Sequence, residues 1–337
     1  MELTIALDAM GGDCGPETIV PAALFTLRKH KNLQLILVGQ EEILNKVLSD
    51  QGASDNDRIR VQHASEVVEM HESPTLAMRN KKDSSMRVAI ELVKNEQAQA
   101  CVSAGNTGAL MATSRFVLKM LPGIDRPAIC ATMPGIYVHA HVLDLGANVD
   151  SSSEQLFQFA VMGAELTSAV NNIKDPTVAL LNVGSEEIKG NDRVKQAAAL
   201  LSQSHLNYIG FVEGTDIYTG KVDVIVCDGF AGNIALKASE GAAEFLKHYA
   251  MKEFNGSLYG RFIALISMPI LKAIKRRIDP RRYNGASLLG LRGIVIKSHG
   301  SADKVAFANA IEEAIVEVEK NVPKRITEEL ENLFIER

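Results

Sequence analysis

The chain has 337 residues, 46% hydrophobic and 23% charged, the composition of a folded globular protein and not of a disordered or fibrous one. Its 36 Lys and Arg against 41 Asp and Glu leave a net charge of −5, which excludes a nucleic-acid binder that relies on bulk positive charge. The cysteines, Cys14, Cys101, Cys130 and Cys227, show no Cys-x-x-Cys spacing, so a zinc knuckle, a redox pair and a disulfide framework all lack support.

No charged, apolar, small-residue leader opens the sequence. The longest uncharged apolar stretch, residues 262–271, falls well short of the ~20 residues that span a bilayer. The expectation is a cytoplasmic, enzyme-sized protein.

One pattern recurs in chain order: a short apolar run, a turn rich in Gly, Asn and Asp, then helical spacing. Residues 3–7 lead into Asp8-Ala9-Met10-Gly11-Gly12-Asp13, residues 33–38 into Gly39, and residues 100–102 into Ser103-Ala104-Gly105-Asn106-Thr107-Gly108. Residues 141–143 lead into Asp144-Leu145-Gly146-Ala147-Asn148-Val149-Asp150, and 177–181 into Asn182-Val183-Gly184. Residues 222–226 precede Asp228-Gly229-Phe230-Ala231-Gly232-Asn233, and 294–296 precede Ser298-His299-Gly300-Ser301. Helices are predicted over 84–95, 108–120, 153–169, 192–203, 233–249 and 302–321. Short apolar runs alternating with helices describe βα units around a mostly parallel, Rossmann-like sheet. No linker divides the chain, which reads as one bilobed α/β domain over residues 1–337.

Ligands of open α/β sheets sit outside the carboxyl ends of the strands. Glycine lets backbone amides approach a ligand, and the helix that follows presents its positive end. Any one of these turns is more readily a helix cap than a ligand site. Five of them gathered on one sheet edge predict a polar, anion-receptive cleft. Gly105-Asn106-Thr107-Gly108 matches neither the dinucleotide fingerprint nor the Walker loop, and Gly-x-Ser-x-Gly is absent. His139 and Asp144 have the His-x4-Asp spacing of glycerolipid acyltransferases, but they fall at opposite ends of one predicted strand, so the spacing reads as coincidence.

As an ordered set the turns are specific. To those above are added Leu181-Asn182-Val183-Gly184-x-Glu186-x-x-Lys189-Gly190-Asn191 and Tyr283-x-Gly285-Ala286-x-Leu288-x-Gly290. From Met1 to about Val322 the chain resembles the bacterial phosphate acyltransferases of the PlsX family. The resemblance implies transfer of a long acyl group from acyl carrier protein to inorganic phosphate, giving acyl phosphate for membrane phospholipid synthesis. It also implies a three-layer α/β/α fold related to the phosphotransacetylase and isocitrate dehydrogenase-like group, and a homodimer.

In such a reaction phosphate is itself the nucleophile, so no serine or cysteine needs activation. Positioning and preorganised donors do the work. On this reading Lys189 and Asn233 stabilise the oxyanion, and His299 is a candidate proton donor to the departing thiolate. Each has an ordinary alternative: a solvated loop lysine, a helix N-cap and a turn histidine. Gly11, Gly12, Asn106, Thr107, Gly108, Asn148 and Gly232 are expected around phosphate and substrate, with Asp8 and Asp228 organising the turns. No metal-ligand spacing and no cofactor motif is present, so neither is expected.

Residues 254–278 are apolar, then basic. The apolar run breaks at Pro269, predicting two short helices that meet there. Leu258, Phe262, Ile263 and Ile266, followed by Lys275, Arg276 and Arg277, would suit peripheral contact with an anionic membrane. A core helix, a dimer contact, or docking of the acidic carrier protein fits the same residues. Two other functions stay open: a short-chain phosphotransacetylase using coenzyme A, and a non-catalytic membrane-associated scaffold.

Overall fold

A computed structural model describes residues 3–277 and 279–335, with the side chains of Lys275, Phe334 and Ile335 outside the described residues. The first half comprises β1 (Leu3–Asp8), α1 (Pro16–Lys29), β2 (Leu33–Gly39), α2 (Glu41–Asp50), β3 (Ile59–His63), α3 (Pro74–Asn80), α4 (Ser85–Lys94), β4 (Ala100–Ser103), α5 (Thr107–Leu118), β5 (Ala128–Met133) and β6 (Ala140–Leu143). There follow α6 (Ser153–Asn171), β7 (Val178–Leu181), α7 (Asp192–Ser202), β8 (Tyr208–Val212), β9 (Val224–Val226), α8 (Gly229–Asn255), α9 (Leu258–Arg277), β10 (Ala286–Leu289), β11 (Ile294–Lys297), α10 (Lys304–Lys320) and α11 (Val322–Ile335).

The chain folds as the expected three-layer, mostly parallel α/β arrangement. The described strands form one sheet of eleven, in the order β3-β2-β1-β4-β11-β10-β5-β6-β9-β7-β8. Its middle strands do not alternate apolar with polar residues, because both faces are covered and each strand reads as a continuous apolar run. On one face Ile5, Leu7, Val102 and Ile296 pack under α1, α2 and α10, and Leu143, Val178 and Val226 under α6, α7 and α11. On the other, Ala6, Cys101 and Val295 pack under α3, α4 and α5. There Val142 and Ile225 are covered by the first turns of α8, through Ala231, Ala235 and Leu236.

Strand direction corrects the expectation of a single ligand edge. β3, β2, β1, β4 and β11 run parallel. β10 is antiparallel to β11, β5 to β10, and β6 to β5. Those three reversals leave β6, β9, β7 and β8 running against β1. The turns after β1, β4 and β11 therefore leave one edge of the sheet, and those after β6, β7 and β9 leave the other. The antiparallel β5 and β10, absent from the sequence reading, cause the split.

The second correction concerns 254–278. α8 starts at Gly229, before the expected 233, and continues to Asn255. α9 then runs unbroken through Pro269, where two short helices were expected. A mid-helix proline removes one backbone donor, yet the helix continues on both sides of it. α8 and α9 meet at a bend of 117°, and among the described residues no single helix is long and apolar enough to cross a membrane. Beyond the first turns of α8 neither helix packs in the core: Leu258 is 84% exposed, and Phe245, Leu246, Phe262 and Ile266 are exposed too.

Candidate functional site

At the first edge the β1 turn is built around Asp8. This buried carboxylate accepts from the Ser85 hydroxyl through Oδ1 and from the Ser103 hydroxyl through Oδ2, each at 2.6 Å. Burial raises its pKa, and those hydroxyls with the Met10 and Gly11 amides oppose the rise. Asp8 thus ties β1 to the start of α4 and to the end of β4. Gly11 and Gly12 have no room for a side chain. A Cβ on Gly11 would lie 2.6 Å from Asp8 Oδ2, and one on Gly12, at φ +87°, would lie 2.9 Å from the Gly300 carbonyl oxygen.

Asn106 caps α5 by accepting from the Ala109 amide, and its Nδ2 donates to the Met70 and Glu72 carbonyls. Its side chain is occupied in holding the turn; Thr107 stands exposed beside it and Gly108 half-buried. His299 is exposed, and its Nδ1 accepts from the Ser301 amide at 3.2 Å. The neutral ring therefore carries its proton on Nε2, turned away from that bond.

The second edge repeats the device with Asp144. Its Oδ1 accepts from the Ile129, Gly146 and Ala147 amides, and its Oδ2 from the Asn148 amide and side chain. Burial raises this carboxyl as well, against those donors. Asn148 is buried and also donates to the Pro127 carbonyl. Asp228 caps α8 at the Ala231 amide. Gly232 lets α8 touch this turn, since a Cβ there would lie 1.9 Å from the Asp144 carbonyl oxygen. Asn233 is exposed against Gly146, and Lys189 is exposed on the β7–α7 loop.

The expected site residues thus form two groups. Asp8, Gly11, Gly12, Asn106, Thr107, Gly108 and His299 gather at one edge; Asn148, Asp228, Gly232, Asn233 and Lys189 lie at the other. β1 and β6 lie five strand positions apart, but α8 reaches back over the face they share: Lys237, one turn beyond Asn233, acts electrostatically on Lys297 at the end of β11. Both groups border one face, where Met111 of α5, Ala231 and Ala235 of α8 and Ala286 of β10 belong to one apolar cluster.

Ser85 and Lys297 are absent from the sequence reading, and Asp144 appears there only as the start of a turn and in a spacing read as coincidence. Asp8, Ser103, Lys297 and Ala286 are register partners across β1, β4, β11 and β10, so they form one row on that face. Lys297 is buried, and its Nζ donates to the Ala104 and Ser298 carbonyls. Burial pushes the ammonium down to about 8, against the pull of Asp8 and Asp13. A lysine closing an otherwise apolar strand was the available signal. The thiols of Cys101, Cys130 and Cys227 are buried and pushed upward by that burial, which leaves them unreactive as nucleophiles.

A family model described as "Fatty acid synthesis protein" matches residues 3–325. Phosphate acyltransferase of Methylococcus capsulatus is 62% identical over 334 residues, covering 99% of this chain and 98% of its own. The chain belongs to the phosphate acyltransferase family. That of Nitrosococcus oceani is 59% identical over 331 residues, covering 98% and 97%. The chain is accordingly an acyltransferase of fatty-acid and lipid synthesis. In fold it is similar to a phosphotransacetylase from Streptococcus pyogenes, with a TM-score of 0.65 at 19% identity over 94% of each chain. A branched-chain phosphotransacylase from Enterococcus faecalis gives a TM-score of 0.59 at 14% identity, over 94% of this chain and 99% of that one.

Proposed function

We propose that the enzyme transfers a long-chain acyl group from acyl carrier protein to inorganic phosphate, and that the acyl phosphate feeds membrane phospholipid synthesis. A phosphate oxygen attacks the thioester carbonyl carbon, the C–O bond forms, and the C–S bond breaks from the tetrahedral intermediate. The hydroxyl proton of phosphate is released as the departing sulfur gains one. Phosphate sits at the first edge, against Gly11, Gly12, Thr107 and Gly108, with Asp8 and Asn106 shaping the turns. Asn233 and Lys189 supply donors for the oxyanion, each acting by charge or hydrogen bond and not as a nucleophile. The Nε2–H of His299 serves the leaving thiolate.

The observation that carries the long-chain reading is the exposed α8–α9 hairpin. Leu258, Phe262 and Ile266 are exposed and Ile263 half-buried, followed by exposed Arg276 and Arg277. Lys275, grouped with them in the sequence, has its side chain outside the described residues. A soluble enzyme for short acyl groups has no use for such a surface. Here it would rest on an anionic membrane as a peripheral contact, with a homodimer as the working unit.

The test incubates the pure chain with a long-chain acyl carrier protein thioester and labelled phosphate. Labelled acyl phosphate and free carrier thiol are expected. Activity confined to acetyl-coenzyme A would favour the short-chain phosphotransacetylase, and no product from either would leave the scaffold.

A further inference from the structure

Lys297 is only 9% exposed, yet among the described residues it forms no ion pair. The nearest carboxylate in its row, Asp8, attracts the ammonium but makes no contact with it, its oxygens accepting instead from the Ser85 and Ser103 hydroxyls. Two of its three N–H groups go to the Ala104 and Ser298 carbonyls, and the third has no partner among the described residues. An enclosed ammonium without a contact anion is costly unless a ligand provides one.

Its surroundings are built to admit an anion. The Ala104 carbonyl that Nζ touches lies three residues before α5, whose Thr107 and Gly108 amides have no acceptor within the helix. Asn106 satisfies the Ala109 amide and leaves those two free. Gly12 packs against Ala104 and Gly300, where any side chain would collide. The turns after β1, β4 and β11 thus converge on one ammonium.

We propose that Lys297 is a substrate-binding residue whose third N–H receives the phosphate dianion, alongside the Thr107 and Gly108 amides. This rests on the phosphate-acceptor reading above and names the cation of that site. The charged groups that face Lys297 are Asp8 from β1, Asp13 from the turn after it, and Lys237 from α8. Burial and Lys237 favour the neutral amine while the two carboxylates favour the ammonium, and the balance stands at about 8. Phosphate affinity should therefore fall as pH rises above that value, although phosphate itself stays a dianion there.

The experiment measures initial rates against phosphate concentration for the full-length wild type, Lys297→Met and Lys297→Arg, with thermal melts of all three. The methionine variant should raise KM for phosphate about 10- to 100-fold, the range for losing a charged hydrogen bond. KM for the acyl thioester should hardly move, and arginine should recover part of the loss. An unchanged phosphate KM in a folded Lys297→Met variant overturns the proposal, as does a loss of Tm and kcat alone. Should the variants not fold, calorimetric titration of the wild type with inorganic phosphate from pH 7 to 10 decides it. Affinity falling about tenfold per unit above pH 8 supports the assignment, and constant affinity overturns it. The titration needs no turnover, so it separates failure of this assignment from failure of the proposed reaction.

Discussion

An alanine at position 232 would place its Cβ 1.9 Å from the Asp144 carbonyl oxygen and 2.9 Å from the Cys227 sulfur. One neighbour is backbone and the other a buried thiol, so neither can swing away. Relieving the overlap requires the first turn of α8 to lift from the β6 turn by about 1 Å or more. That movement loosens Ala231, Ala235 and Leu236 from the apolar cluster and strains the Asp228 cap and the bond from the Gly229 amide to the Asn148 carbonyl. Overpacking costs ~1–3 kcal/mol and a lost cap ~1 kcal/mol, giving roughly 2–4 kcal/mol. For a chain of 337 residues the Tm should fall by about 3–6 °C. Asn233 moves with the helix, and a 1 Å misplacement of a catalytic donor costs about 100-fold in rate. Gly241 provides the control within the same helix, because a Cβ there meets nothing within 4 Å. Gly241→Ala should raise stability by ~0.5–1 kcal/mol and leave turnover unchanged. The assays are thermal denaturation and acyl phosphate formation. A Gly232→Ala enzyme with wild-type Tm and turnover would refute the claim that α8 is seated through this contact.

Lys189→Ala and Asn233→Ala should each slow acyl phosphate formation by about 100-fold or more with little change in Tm, since both side chains are exposed; a well-folded variant with normal turnover removes that residue from the catalytic set. Changing Ile263 and Ile266 together to Asp should abolish sedimentation with anionic vesicles, because two apolar anchors are worth about 3–6 kcal/mol. Retained sedimentation of the folded double variant would contradict lipid contact. Glu313 and Glu317 on α10 are both pushed upward by burial, and Glu317 Oε1 has no hydrogen-bond partner. As pH rises through the ordinary glutamate range the unfolded chain releases protons that the folded chain retains, so stability falls toward neutrality. Glu317→Gln should raise Tm by roughly 1–4 °C at pH 8, the effect of relieving about 1–3 kcal/mol of desolvation, with the advantage shrinking toward pH 4.5; an advantage independent of pH would show that charge is not the cause.

Much of the architecture is local and was legible in the residues. The runs 3–7, 33–38, 100–102 and 294–296 are apolar throughout or nearly so because their strands are buried on both faces. The turns Asp8–Asp13 and Asp144–Asp150 advertised themselves through glycine and short polar side chains, which close turns require. The helices at 84–95, 108–120, 153–169, 192–203 and 302–321 carry their own periodicity, the last four also a capping side chain, and the structure places them within a few residues. α1 carries the weaker signal of Pro16 at its start, where proline is favoured.

Direction is a different kind of property. Whether a strand runs with or against its neighbour depends on which backbone amides it meets, and nothing in Ala128–Met133 or Ala286–Leu289 states that β5 and β10 will be antiparallel. Those two strands divide the turns between opposite edges, so the distribution of the site was decided by pairing. Lys297 shows the same limit from the side of chemistry. As a residue it is one lysine among 36 Lys and Arg. It becomes a buried ammonium with no ion pair among the described residues only because β11 is laid beside β4, where its Nζ meets the Ala104 and Ser298 carbonyls. The sequence determined each turn and strand, since these depend on neighbours a few residues apart. The fold decided which of them share an edge and which charge is left without a partner, because both depend on groups brought together from across the chain.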